Sequence, residues 1–242
     1  MKIAPIIYLI GMLLCILSLF MMVPAFVDWF YGNDDWPAFV GSSFITLFVG
    51  AVCFLSNRGI VTEHLELRQA FLLTNSAWIS IALFGSLPFM FSQIDMSFTD
   101  AIFESTSGIT TTGATVINNL DATSHGILIW RALLQWLGGV GIIVMALAVL
   151  PMLSIGGMQL FKTESYETPD KVVPKAASFA AGISLVYISL TSIWAMMLWV
   201  AGMPIFDSIA HAMTTLATGG YSTRSDSLAA FGSASIEIII IF

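Results

Sequence analysis

Apolar residues run along this chain in long charge-free intervals, at Ile3 to Val27, Trp36 to Asn57, Gln69 to Ile94, Ala132 to Phe161 and Ala176 to Phe206. About 20 apolar residues cross the hydrocarbon of a bilayer, and one buried charge is costly there, so each interval predicts a transmembrane helix. The fourth is expected to begin earlier, near Ser124, with Arg131 as a charged exception inside its outer end. A sixth apolar run opens at Ile236 and stops at Phe242, so the sequence is expected to end inside a membrane helix.

The polar interval between the third and fourth spans carries DAIFESTSGITTTGATV, from Asp100 to Val116. Ala101 to Ser107 predicts about two turns of helix ahead of Gly108. Ser97, Thr99 and Asp100 stand at its start, where hydroxyls and carboxylates cap free N–H groups. The Thr/Gly segment that follows lies outside the membrane or folds back into it to line a water-filled path, since irregular backbone at membrane depth needs protein or a cavity around it. A single such segment is also an ordinary surface turn.

An internal repeat favours the path. A shift of 107 positions lays Asp207 on Asp100, Ile209 on Ile102, Thr218 on Thr111, Gly220 on Gly113 and Ser222 on Thr115. Both copies share one context: a long span, a short loop with Asp, a brief helix, a Thr/Gly segment and another apolar run. Repeats in one orientation fit an arrangement around an axis normal to the membrane. The fold class expected is therefore an all-α membrane protein of repeated span, re-entrant pore helix, filter loop and span, truncated in its second unit. It divides into residues 1–68 (two leading spans and a cytoplasmic loop), 69–175 (first pore unit) and 176–242 (second, incomplete unit).

Composition agrees: 57% of residues are hydrophobic and 10% charged. The formal charge of -7 comes from few groups confined to loops, and no basic face offers itself to nucleic acid. Charge is unevenly sided. Lys2, Arg58, Arg68, Lys162, Lys171 and Lys175 fall on one side if every long run crosses once, and Asp28, Asp34, Asp35, Asp95, Asp100 and Asp121 fall on the other. The basic side is cytoplasmic by the positive-inside pattern, so the N-terminus is inside and the Asp100 to Val116 loop enters from outside. The apolar part of Lys2 to Val27 is too long for a signal peptide. Cys15 and Cys53 both sit in apolar runs and read as lipid-facing or packed thiols. His64, His125 and His211 lack metal-ligand spacing, and no HExxH, GxSxG or phosphate-binding loop points to an enzyme or a cofactor.

A dehydrated monovalent cation needs several oxygens to replace its water, and backbone carbonyls of extended loops supply them. Thr110, Thr111 and Thr112 add hydroxyls, while Gly113, Gly219 and Gly220 permit backbone angles that turn successive carbonyls toward one axis. The helix ahead of each loop would aim its partially negative C-terminal end at the cation.

TSGITTTGAT, then WRALLQWLGGVGIIVMALAVLP, then HAMTTLATGGYSTR resemble the Trk/Ktr/HKT superfamily of potassium transporters, and closely its TrkH type of bacterial membrane subunit, over essentially the whole chain. The resemblance implies inward potassium transport in the bacterial inner membrane through a selectivity filter of four loops, each with a glycine that favours potassium. It places ion-facing carbonyls on Thr111, Thr112 and Gly113 and on Thr218, Gly219 and Gly220, with Ala114 and Tyr221 following at the outer mouth. It also implies a cytoplasmic nucleotide-binding regulatory subunit of the TrkA type, and a homodimer in the full-length family. Only two filter loops are present, and the gate loop of the third unit is absent, so the chain reads as the N-terminal half. The alternative is a non-conducting fragment or scaffold that needs the missing half.

Arg131 follows Gly113 by 18 positions and Glu237 follows Gly220 by 17, so an Arg131–Glu237 pair bracing the filter is expected. Snorkelling of Arg131 to headgroups is the alternative. Gly138, Gly139 and Gly141 are expected at a close helix contact, and Pro151, Gly156 and Gly157 at a kinked inner end. His211 lies opposite Glu104 in the repeat and is expected to make a structural contact. Lys162 to Lys175 reads as a solvated cytoplasmic loop.

Overall fold

The computed structural model describes residues 3–58, 67–153 and 172–241, and every regular element among them is helical. The leading pair, α1 (Ala4–Tyr31) and α2 (Trp36–Ser56), packs as an antiparallel hairpin. Gly32 ends α1 in a left-handed cap with φ 72°, a conformation glycine adopts without a Cβ penalty. The seam is glycine-lined. A Cβ on Gly11 would lie 2.8 Å from the Gly50 carbonyl, and one on Gly50 would lie 3.0 Å from that of Gly11. Small residues let the two backbones approach, as at helix contacts in membranes generally. Cys15 and Cys53 flank the same seam as free, packed thiols.

The third apolar interval is not one continuous helix. It divides into α3 (Leu67–Gly85) and α4 (Leu87–Phe91) at a turn on Ser86. Pro88 explains the break, because it has no N–H to continue the ladder and its ring crowds the preceding turn. The Gly85 carbonyl accepts from Trp130 Nε1 at 3.0 Å instead. The pore helix expected over Ala101 to Ser107 is longer, α5 (Phe98–Ile109). Ser97 caps it, accepting from the Asp100 N–H at 3.2 Å and donating to Asp100 Oδ2 at 2.7 Å.

α6 (His125–Leu153) starts where the sequence places the fourth span. Its first turn is satisfied from α1: the Gly126 N–H donates to Asp28 Oδ1 at 2.5 Å. The fifth interval becomes α7 (Val172–Val200) and stops short of Phe206, because Gly202 at φ 101° and Pro204 turn the chain into a second short helix, α8 (Ile205–Leu216). A final helix, α9 (Ala234–Ile241), follows. Pro151 lies within α6, whereas Gly156, Gly157 and the Lys162 to Lys175 loop lie outside the described residues.

Among the described residues, Ala4–Tyr31, Trp36–Ser56, Arg68–Phe91 and Gly182–Val200 are long and apolar enough to cross a membrane. Trp130, Ile127 and Leu134 of α6 are fully buried with Phe39, Phe89, Leu14 and Met21, so the first half of α6 is the centre of the core. Phe44, Phe48, Leu185 and Val200 stay exposed on helix exteriors, as expected of surface that meets lipid.

Candidate functional site

The two Thr/Gly segments repeat in backbone geometry as well as in sequence. Thr111 and Thr218 have φ 56° and 53°, and Gly113 and Gly220 have φ 80° and 78°. The Thr112 N–H donates to the Ser107 carbonyl at 2.9 Å, and the Gly219 N–H to the Thr214 carbonyl at 2.8 Å. One residue earlier, Thr111 donates to Gly108 at 3.0 Å and Thr218 to Thr215 at 2.9 Å. A β-branched residue at positive φ costs about 1–2 kcal/mol. Such strain persists where surrounding structure over-determines it, and it clusters at functional sites. Here it occurs twice, at repeat-related positions.

The loops lie side by side. A Cβ on Gly113 would collide with the Gly219 carbonyl oxygen and come within 3.7 Å of the Gly220 carbonyl carbon. Thr112, Thr218 and Gly220 are exposed, Thr111 and Gly113 half-buried and Gly219 buried. The Thr110 hydroxyl donates back to the Thr106 carbonyl at 2.7 Å and bonds the Thr112 hydroxyl at 2.8 Å, stiffening the first loop. The Ala114 carbonyl accepts from Ser107 Oγ at 2.6 Å and from the Tyr221 hydroxyl at 3.2 Å.

One face of α6 supports both loops. Arg131 is 1% exposed, which excludes snorkelling, and its ion pair is with Glu104 rather than Glu237: Nε to Oε1 is 2.7 Å. Glu237, on α9, is exposed. The expected pairing equated sequence distance after Gly113 and Gly220 with depth, whereas the carboxylate that reaches Arg131 comes from α5. Glu104 also accepts from Thr115 Oγ1 at 2.9 Å and from the Val116 N–H at 3.0 Å, so it ties α5 to the outgoing strand of its own loop. Arg131 crosses to the second loop, donating from Nη1 to the Ser222 carbonyl at 3.0 Å. Its guanidinium lies 4.0 Å from the centroid of the Tyr221 ring, a favourable cation–π distance.

Tyr221 does not line an outer mouth. It is 4% exposed and packs behind the first loop, with its hydroxyl donating to the Glu104 carbonyl at 3.0 Å. One turn along α6 from Arg131, Gln135 donates from Nε2 to the Gly219 carbonyl at 2.8 Å and accepts from the Tyr221 N–H at 3.2 Å. The Gly219 carbonyl, expected among the ion ligands, accepts a hydrogen bond from this side-chain amide. Gly138 then lets the end of α5 approach, since a Cβ there would overlap the Ile109 carbonyl, and Gly139 packs on Ala217. Gly141 has open space.

The second short helix, α8, is anchored differently. Asp207 accepts from Thr223 Oγ1 at 2.6 Å and from Arg224 Nη2 at 3.0 Å. Arg224 continues to Asp121, 3.6 Å away, and Ser225 joins the same loop by accepting from the Leu120 N–H at 3.1 Å. Hydrogen bonds from Ser225, and then the Arg224 guanidinium, hold the Asp121 carboxyl below the ordinary range. His211 makes the expected structural contacts, with the Asp207 carbonyl at 2.8 Å and Ser222 Oγ at 3.2 Å. Above the first loop opens a cleft of about 870 Å³, lined by Asp34, Asp35, Asp95, Asp100 and Asp121 together with Val116.

Residues 36–242 match the model of TrkH, described as a cation transport protein. The chain belongs to the TrkH family. It is 42% identical over 244 residues to the Trk system potassium uptake protein TrkH of Vibrio parahaemolyticus, covering 100% of this chain and 50% of that protein. It is 41% identical over 235 residues to the TrkH of Escherichia coli strain K12, covering 96% and 48%, and 33% identical to the TrkG of that strain. The crystal structure of the potassium transporter TrkH from Vibrio parahaemolyticus superposes with a TM-score of 0.89 at 40% identity, over all of this chain and 48% of that one. The chain thus spans about half the length of the curated TrkH relatives it matches. Glu104 stood out in the sequence only as the repeat position opposite His211, and Gln135 not at all. The available signal was a polar residue four positions after Arg131 in an otherwise apolar helix, which places both on one face.

Proposed function

We propose that the chain supplies two re-entrant loops of a potassium-selective filter, through which potassium enters the cell down its electrochemical gradient. The observation that carries this reading is the duplicated strained backbone: Thr111 and Thr218 at positive φ, each just beyond the C-terminal end of a short helix, in loops that meet at Gly113 and Gly219. A dehydrated cation is stabilised by converging carbonyls and by helix ends of partial negative charge. Thr111, Thr112, Gly113, Thr218 and Gly220 are the ligand positions in this reading. Thr110, Ala114, Tyr221 and Arg131 support them, and Glu237 has no role here. The acidic cleft beside Val116 raises the local cation concentration at the mouth. The relatives' names, as potassium uptake proteins, favour potassium over sodium.

The N-terminus is inside in this reading, on the side of Arg58 and Arg68, and the membrane is the bacterial inner membrane. A regulatory subunit of the TrkA type would meet the cytoplasmic face, and the family-like assembly would be a homodimer. A four-loop ring needs two further loops, from a second copy or from another stretch of polypeptide. Uptake in a potassium-transport-deficient strain separates the cases. Growth on low potassium with this chain alone supports assembly of copies. Growth only when the C-terminal half of a TrkH relative is co-expressed supports the half-filter, and failure of both leaves the scaffold reading standing.

A further inference from the structure

We propose that Gln135 is a positioning residue that decides which carbonyl of the second loop faces the ion, and so sets selectivity. The inference rests on the filter reading above. Gln135 touches two consecutive peptide planes. Its Nε2 donates to the Gly219 carbonyl at 2.8 Å, and its Oε1 accepts from the Tyr221 N–H at 3.2 Å. The chemistry fixes the orientation of the amide, since the reverse orientation would set carbonyl against carbonyl and N–H against N–H.

The peptide between Gly220 and Tyr221 is trans, so its C=O points opposite to its N–H. With the N–H held by Gln135, the Gly220 carbonyl is turned away from α6. Gly220 is exposed, and an added Cβ there would meet nothing within 4 Å. The neighbouring peptide is turned the other way, with the Gly219 carbonyl held against Gln135 and buried. Gln135 thus presents Gly220 and withholds Gly219. At position 219, where φ is not positive, a Cβ would displace the Gln135 amide. The repeat-related residue of the first loop is Thr112, which carries a side chain and bonds Thr110 instead. The two loops therefore share a backbone while differing in what holds it, and Gln135 belongs to the first unit while fixing the loop of the second.

Amide hydrogen exchange on the purified chain in detergent, wild type against Gln135→Leu and Gln135→Glu, tests the clamp without requiring conduction. Gln135→Leu is expected to speed exchange at Tyr221 roughly tenfold, the loss of one net hydrogen bond, while amides within α6 and α8 stay as in the wild type. Gln135→Glu keeps an acceptor for Tyr221 and loses the donor to Gly219, so exchange at Tyr221 stays slow. Unchanged exchange in the Leu variant, or equal acceleration throughout α6 and α8, would overturn the proposal.

In proteoliposomes of the conducting assembly, both variants are expected to lower the potassium-to-sodium permeability ratio several-fold, with Gly113→Ser measured alongside. A ratio lowered by Gly113→Ser but not by either Gln135 variant overturns the clamp alone. A ratio that no variant moves, Gly113→Ser included, overturns the filter reading on which it stands.

Discussion

Arg131 Nε and Glu104 Oε1 lie 2.7 Å apart with both side chains all but removed from solvent, and the pair joins α5 to the second Thr/Gly loop at Ser222. Removing one partner of a buried pair leaves an uncompensated charge, which costs about 3–5 kcal/mol. Glu104→Gln and Arg131→Met should each lower stability by that order in denaturant unfolding of the detergent-solubilised chain. Exchanging the two residues should recover only part of the loss, because an Arg at position 104 cannot accept from the Val116 N–H that Glu104 satisfies at 3.0 Å. Full recovery would show that the pair acts through charge alone.

Gly113 and Gly220 share a left-handed backbone but not a neighbourhood. A side chain at either carries a conformational cost of about 1–2 kcal/mol. At Gly113 it also meets the Gly219 carbonyl, whereas at Gly220 it meets open space. Gly113→Ser should therefore be the more destabilising substitution and the one that separates the loops. Thermal unfolding of the two variants checks the order, and equal shifts would contradict the side-by-side placement.

The α1–α2 seam predicts a size threshold. At Gly11 a Cβ would approach the Phe54 amide nitrogen to 2.6 Å, which is backbone and has little room to give. Gly11→Val should cost about 1–3 kcal/mol by overpacking. Gly41 has nothing within 4 Å, so Gly41→Ala should be neutral or slightly stabilising, by up to about 1 kcal/mol. Unfolding midpoints of the two variants give the comparison directly.

The Asp121 tie should be acid-resistant. Its carboxyl titrates below the ordinary 3.8 because Ser225 and Arg224 favour the charged form. A depressed folded-state value contributes stability that is present above the unfolded value and lost as pH falls through the folded one. Slow exchange of the Leu120 and Ser225 amides should thus persist at pH 5 and fade only below pH 3.8. Asp121→Asn should abolish that pH dependence.

The sequence carried the helices well because a bilayer leaves few choices: charge-free intervals named the spans, and the start of α6 fell where Ser124 precedes it. It carried the duplicated loops because threonines and glycines recur at one spacing in one context. The division of the third span at Ser86 was within reach, since Pro88 stands in the middle of it. The partner of Arg131 was not, because distance along the chain does not report which of several neighbouring elements carries the carboxylate. Gln135 escaped for a related reason. Its chemistry is defined by a backbone conformation a long way off in sequence, and an isolated amide in an apolar helix gives no sign of what it faces.

The contact between Asp28 and Gly126 has a consequence for how the protein is made. The carboxylate is 0% exposed, at the end of the first helix, and its amide partner is 98 residues further along. At about 5–20 residues per second of synthesis, that partner is completed roughly 5–20 seconds later. Until then the carboxylate has Asn33 Nδ2 of the same hairpin as its donor, at 2.8 Å, and the leading hairpin still lacks its seat against α6. Its docking is timed by the arrival of the helix it caps.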